Sequence, residues 1–202
     1  MRKLIVTEFM SLDGVFQAPG PDGSGFKYEG WTFAYNSEEF GKFKYDELQQ
    51  TDMLLLGRVT YEGFAKAWPS QKDPAGFADK FNSMPKYVVS KTLKKAEWNN
   101  SHIINGNVVE EIKKLKQSDP LSQSSSEAKG DIVVHGSGTL ARFLIEQGLV
   151  DGLTIMLYPV VLGTGKRLFQ DITKTNLKLI ETTPFKTGVV VLKYVPEHQK
   201  SI

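Results

Sequence analysis

The stretch VVHGSGTLARFL, residues 133–144, decides how this chain is read. Two β-branched residues run into closely spaced glycines, and Leu140, Phe143 and Leu144 then recur at helical spacing. Strand, glycine turn and helix in that order bring exposed amides to a helix start, where an anion is favoured and glycine permits its close approach. Ser137 and Thr139 add hydroxyl groups to the same turn. The plainer reading of these residues is a tight strand-to-helix connection that needs small side chains. Gly136, Gly138 and Ala141 also match the G-x-G-x-x-A dinucleotide fingerprint. Its wider context is absent, because only about 60 residues follow and Asp151 comes too early to end the next strand.

Working outward, apolar runs alternate with helical patterns. KLIVTEF (3–9), MLLLG (53–57), KYVVS (86–90), SHIIN (101–105), DIVVH (131–135) and VDGLTIMLYPV (150–160) read as strands. Asn36 or Ser37 caps a helix carrying Phe40 and Phe43, RVTYEGFAKAWP forms a helix or irregular turn stopped by Pro69, and Asn107 with Glu110 has capping-box spacing. This alternation predicts an α/β fold, a mostly parallel sheet with helices on both faces. NLKLIET and TGVVVLKYV, separated by a turn with Pro184 and Gly188, predict an antiparallel hairpin at one edge. Serine-rich QSDPLSQSSSEAKG (117–130) reads as a surface loop inside one domain spanning 1–196, with a polar tail at 197–202.

Composition narrows the chemistry. A chain of 202 residues with 24% charged and 40% hydrophobic residues fits one ordered domain with a substantial core. No cysteine is present, which excludes thiolate metal sites and a cysteine nucleophile, so redox chemistry requires a cofactor. A net charge of +2 with interspersed signs does not predict a nucleic-acid partner. The apolar start is soon interrupted by Glu8 and no run is long enough to span a bilayer, so no membrane partner is expected and the cytoplasm is the expected location. His102, His135 and His198 are scattered and form no zinc pattern, and no G-x-S-x-G elbow is present.

Other strand ends carry polar groups. Gly57, Arg58 and Thr60 follow one buried run, and Ser90 and Lys91 follow another. Arginine can bind phosphate bidentately and threonine supplies a further donor, although each pair alone also reads as a helix cap or charged loop. Open α/β sheets gather ligands at their strand carboxyl ends, and three such ends strengthen the phosphate reading. GTGKRLF (163–169) fails the Walker A pattern. The segment APGPDGSGFKYEGWTFAY (18–35) reads as a partly ordered flap whose aromatics either pack on the core or touch a ligand.

In identity and order, VTEFMSLDGV (6–15), LLLGRVTYEGF (54–64), KYVVSKTL (86–93), VVHGSGTLARFLIEQGLVD (133–151) and YPVVLGTGKRLF (158–169) resemble the dihydrofolate-reductase-like superfamily. More narrowly, the chain is similar to the reductase domain of bacterial riboflavin biosynthesis and its stand-alone relatives. The resemblance implies a three-layer α/β/α fold, NADPH as cofactor and hydride transfer to a small heterocyclic, imine or carbonyl substrate. It implies that Arg58 and Thr60, with Ser90 and Lys91, hold the adenosine side and its 2′-phosphate, and that Gly136, Ser137, Gly138 and Thr139 cradle the pyrophosphate. Thr7, Asp13 and Gly14 would lie near nicotinamide and substrate, with Asp13 as a polar or proton-relay group or else an Asx turn before Gly14. A homodimer is implied as well.

The chain departs from the family where substrate is chosen. Dihydrofolate reductases carry a carboxylate on the helix before the GRxT element, and Gly41 stands at the corresponding place, with Glu38 and Glu39 about one turn earlier. Trp31, Glu38, Lys166 and Arg167 are the candidate substrate contacts. The alternative from another class is a non-catalytic nucleotide-binding or structural homodimer.

Overall fold

The computed structural model describes residues 1–118 and 130–197. The elements begin with strand β1 (Leu4–Ser11), helix α1 (Glu38–Gln49), β2 (Thr51–Gly57), α2 (Arg58–Ala67), α3 (Phe77–Ser83), β3 (Lys86–Val89) and β4 (Ser101–Ile104). They continue with α4 (Val108–Gln117), β5 (Asp131–Val134), α5 (Gly138–Glu146), β6 (Gly152–Tyr158), β7 (Leu177–Pro184) and β8 (Val190–Pro196). All lie in or against one eight-stranded sheet of order β4-β3-β2-β5-β1-β6-β8-β7. Every pairing from β4 across to β6 is parallel, and β8 runs antiparallel to both β6 and β7. The α/β fold with a terminal antiparallel hairpin read from the sequence is therefore the fold observed. Most of the serine-rich segment, and the tail beyond Glu197 including His198, lie outside the described residues.

Alternation along the strands divides the core. Leu4 and Val6 of β1, Ile132 and Val134 of β5 and Leu153 and Ile155 of β6 face Ile112 of α4 and Leu140, Ala141 and Leu144 of α5. On the opposite face, Leu54 and Leu56 pack with Leu48, Tyr61 and Phe81 from α1, α2 and α3. Burying each such aliphatic side chain contributes about 1.5–3 kcal/mol. A third cluster surrounds Tyr158, whose ring meets Trp31, Tyr35 and Phe40 edge-on at 5.2–6.2 Å. Trp31 and Tyr35 of the flap pack on the core here, while Phe33 is exposed.

Helix starts follow local chemistry. Ser37 Oγ accepts from Phe40 N–H at 3.2 Å and Asn107 Oδ1 from Glu110 N–H at 3.3 Å, fixing the starts of α1 and α4. Helix α3 was not anticipated. Its flanking residue Gly76 is left-handed, and its cap comes from further back, where the Asp73 carboxylate accepts from Phe77 and Ala78 N–H at 3.0 and 2.7 Å. Lys86 is buried and donates to the carbonyls of Asn82, Met84 and Asn99 at 2.8–2.9 Å, tying the end of α3 to β3.

The strand order places a ligand crevice. The β1–α1–β2 connection leaves β1 past β5 on one face, while β5–α5–β6 leaves in the other direction on the opposite face. Neighbouring strands whose connections diverge open a crevice at their carboxyl ends. Here it lies between β5 and β1.

Candidate functional site

Two helix starts meet beside this crevice. Gly57 closes β2 and flanks α2, and its N–H donates to the Gly136 carbonyl at 3.0 Å. A Cβ on Gly57 would stand 2.5 Å from Ser137 Oγ and 3.0 Å from its backbone nitrogen. Glycine is thus required by close approach. Gly136 has φ +106°, and a Cβ there would lie 3.0 Å from Thr60 Oγ1. Ser137 caps α5, accepting from Leu140 N–H at 3.4 Å, and the Gly136–Ser137 peptide is cis. The structure thus brings Gly57, Thr60, Gly136 and Ser137 together, with the amino ends of α2 and α5 side by side, an arrangement suited to an anion.

The other sequence candidates surround this junction unevenly. Arg58 opens α2, but its guanidinium donates to Glu62 at 2.8 and 3.1 Å along the exposed helix surface. A phosphate would compete with that carboxylate. Ser90 Oγ accepts from Thr92 and Leu93 N–H, shaping the turn after β3, and Lys91 is exposed. The Phe16 ring lies over the start of α5, where a Cβ on Gly138 would meet it at 2.2 Å. Thr139 is exposed beside Arg142.

Asp13 is heavily engaged by its loop. Its carboxylate accepts from Ser11 Oγ at 2.7 Å and from Leu162 and Gly163 N–H at 3.1 and 2.9 Å. Those bonds, the Ser11 hydroxyl foremost, hold its pKa below the ordinary carboxylate range. Arg167 Nε donates to the Asp13 carbonyl, Lys166 N–H to Gln17 Oε1, and Leu168 N–H to the Gly14 carbonyl. These contacts lace the SLDGV turn to the loop after β6. Trp31 is buried with its Nε1 donating to the Gln17 carbonyl at 2.9 Å, and Glu38 is exposed in the first turn of α1. The structure does not bring Trp31, Glu38, Lys166 and Arg167 together as one constellation; Lys166 and Arg167 join Asp13 and Gly14 in the laced turn.

The buried polar residues of the crevice were the ones sequence reasoning passed over. Glu8 of β1 is 6% exposed, its Oε1 has no hydrogen-bond partner, and that atom lies 3.5 Å from where a Gly136 Cβ would stand. Burial pushes its pKa up to about 8 against the opposing pull of Lys44. Lys44 is ion-paired with Glu47, one helical turn away. Burial opposes ionisation of Glu47, but the charge of Lys44 and its hydrogen bond hold the Glu47 pKa low. His135 is kept neutral by burial, its pKa pushed down to about 3, with its ring 5.9–6.0 Å from Phe64 and Phe81. The only sequence signal for Glu8 was an acid inside an apolar strand.

A separate cleft of about 490 Å³ opens under α1 toward the amino ends of the strands, lined by Ile5, Phe43, Thr154, Phe185 and Lys193 among others. It shares Glu47 with the buried polar group. Among the described residues, no helix is long and apolar enough to cross a membrane, and no cluster of acidic, histidine or cysteine residues forms a metal site.

With this geometry in hand, comparison with known proteins is decisive for the family. The RibD C-terminal domain profile matches residues 2–191. The chain belongs to the RibD C-terminal domain family. Its sequence is 35% identical over 153 residues to the uncharacterized protein YyaP of Bacillus subtilis (strain 168), covering 74% of this chain and 76% of YyaP. The RibD-type fold is shared with a protein assigned to riboflavin biosynthesis from Shewanella sp. PV-4, with TM-score 0.71, 18% identity and coverage of 97% and 99% of the two chains. It is shared too with Enterococcus faecalis dihydrofolate reductase complexed with NADP(H), at TM-score 0.60, 17% identity and 97% of each chain. Acinetobacter baumannii RibD matches at TM-score 0.62 and 14% identity over 98% of this chain, which spans 58% of that longer protein.

Proposed function

We propose that the chain is an NADPH-dependent reductase that delivers hydride to a small heterocyclic, imine or carbonyl acceptor. The observation that carries this reading is the junction of the α2 and α5 amino ends, where added Cβ atoms on Gly57 and Gly136 would crowd Ser137 and Thr60 and the hydroxyls of those two residues come together. That cradle fits a dinucleotide phosphate, with Arg58, Thr60, Ser90 and Lys91 toward β2 and β3 for the adenosine side and Thr7, Gly14 and the SLDGV turn toward the reacting end. Gly138 and Thr139 complete the start of α5. The reduced nicotinamide would supply the hydride. The chain's part is to bind and orient both reactants and exclude water. The dihydrofolate reductase in complex with NADP(H) supports the cofactor class, and the absence of a carboxylate at Gly41 argues against dihydrofolate as substrate.

Asp13 belongs in this reading as the polar clamp of the turn beside the substrate; held ionised, it orients the loop better than it supplies protons. Trp31, Glu38, Lys166 and Arg167 remain the candidate acceptor contacts, acting through the flap and the loop after β6. The domain spans 1–196 with a polar tail, works in the cytoplasm on a small molecule, and pairs as a homodimer, for which the exposed Leu179 and Ile180 on edge strand β7 supply an apolar surface. Loss of reduced-nicotinamide absorbance is measured with 5-amino-6-(5-phosphoribosylamino)uracil, dihydrofolate and small carbonyl compounds as acceptors. Acceptor-dependent loss is expected; tight NADPH binding with no loss across the panel would point to a non-catalytic nucleotide-binding protein.

A further inference from the structure

The cleft under α1 is separate from the crevice between β5 and β1, and its lining is not that of a phosphate site. A volume of about 490 Å³ suits a small ligand. Ile5 and Val133 supply an apolar floor, and Phe43 and Phe185, with ring centroids 6.0 Å apart, form an aromatic wall. Thr154 of β6 also lines the cleft. It is 6% exposed, and its hydroxyl bonds to none of the described residues. A buried hydroxyl is ordinarily hydrogen-bonded, so Thr154 offers a ligand an unmet donor and acceptor.

The charge of the cleft is negative. Carboxylates outnumber ammonium groups along the lining by five to two. Lys42 and Lys193 are engaged by Asp46 and Glu181 at 2.6 and 3.0 Å, which leaves neither for an anion. Asp131, half-buried where β5 begins, forms no ion pair among the described residues. Its N–H donates to the Gln50 carbonyl at 2.8 Å, setting it against the carboxyl end of α1, whose last turn carries no basic residue. The helix dipole adds partial negative charge there. Burial, reinforced by Asp151 and Asp52, pushes the Asp131 pKa up against the pull of Lys3, so a cation is the missing counter-charge.

We propose that this cleft is a second ligand site, for an elongated organic amine whose ammonium meets Asp131 and whose far end carries a hydrogen-bonding group for Thr154. The sheet register sets the spacing. Thr154 pairs with Thr7 and Ile132 with Leu4, three residues apart on β1, so Asp131, one residue before Ile132, is about 13 Å from Thr154 along the strands. A ligand with polar ends about 8 Å apart, and a hydrogen bond of about 2.8 Å at each, spans that distance. Its apolar body then lies over Ile5 and Val133 against Phe43. No residue assigned to the nucleotide makes a contact in this site, so the inference stands without the reductase reading.

The test titrates the full chain calorimetrically with tyramine, which carries both groups. Phenethylamine lacks the hydroxyl, 4-ethylphenol lacks the ammonium, and 4-hydroxyphenylpropionate replaces the ammonium by a carboxylate. Tyramine is expected to bind most tightly of the four, shifting the amide NMR signals of Asp131, Val133 and Thr154 and not those of Gly136–Thr139. Asp131→Asn should weaken tyramine about tenfold or more without affecting 4-ethylphenol, and Thr154→Val should weaken it roughly twofold to tenfold without affecting phenethylamine. Tyramine that binds no more tightly than the other three, shifts centred on Gly136, or an affinity that survives either substitution overturns the proposal. The wild-type ranking of the four compounds and the NMR shifts decide the matter even if a variant fails to fold.

Discussion

Replacing Gly57 by alanine probes the contact on which the phosphate cradle depends. The added Cβ would stand 2.5 Å from Ser137 Oγ, 3.1 Å from its Cβ and 3.0 Å from its backbone nitrogen. Rotating the Ser137 side chain relieves only the first of these, so the start of α5 or the end of β2 has to move by several tenths of an ångström. The same movement lengthens the Gly57 N–H to Gly136 carbonyl bond, now 3.0 Å. Overpacking of this kind costs about 1–3 kcal/mol. At this chain length each kcal/mol lowers Tm by roughly 2–4 °C. Gly63 in the same helix is the matched control, because nothing lies within 4 Å of its Cβ position. Gly63→Ala should therefore stabilise α2, by up to about 1 kcal/mol from helix propensity. Urea and thermal unfolding of both variants, with NADPH titration, check the pair. Gly57→Ala should lose stability and NADPH affinity together, while Gly63→Ala keeps affinity. Equal, unchanged stability in both would mean that α2 and α5 do not meet as described.

Other perturbations follow from the same structure. Arg58→Ala should weaken NADPH by roughly tenfold to a hundredfold, and NADH far less, because a charge-assisted bond to the 2′-phosphate contributes about 1.5–3 kcal/mol; fluorescence titration of both nucleotides reads this. Glu62→Gln frees the Arg58 guanidinium from its competing carboxylate and should tighten NADPH at low salt. Asp52→Asn removes the carboxylate paired with the fully buried Arg2 side chain and should cost about 3–5 kcal/mol in urea unfolding. Glu8→Gln should stabilise the fold with a pH signature. A raised folded pKa means that wild-type stability falls as pH rises from about 4.5 to about 8, so the variant's advantage should grow across that window and then level off.

Much of the fold was legible because local and long-range signals agreed. The strands of the sheet centre are continuous apolar runs, and the starts of α1 and α4 are marked by Ser37 and Asn107, residues whose side chains do the capping. Helix α3 escaped because its cap is the carboxylate of Asp73, three residues before the flanking Gly76. The glycines of the candidate site were legible as a turn, but the need for glycine at 57 comes from Ser137, eighty positions away, and only the assembled sheet shows it. The Asp13 carboxylate forms no Asx turn, since Val15 N–H donates to Ser11 Oγ and Asp13 accepts from Ser11, Leu162 and Gly163 instead, whereas the packing reading of the flap describes what Trp31 and Tyr35 contact. The Arg58–Glu62 pair has helical i,i+4 spacing and was open to prediction. Glu8 was not, since a lone acid in a strand reads as exposed until β5 is seen turning away beside it.

Amide hydrogen exchange with and without NADPH locates the cofactor directly. Protection is expected at Arg58–Thr60 and Gly136–Thr139, at the junction of α2 and α5, and at Ser90–Lys91 in the turn after β3. Protection confined to the cleft under α1, around Phe43, Glu47 and Thr154, or none on adding saturating NADPH, would show that the crevice between β5 and β1 is not where this protein holds a nucleotide.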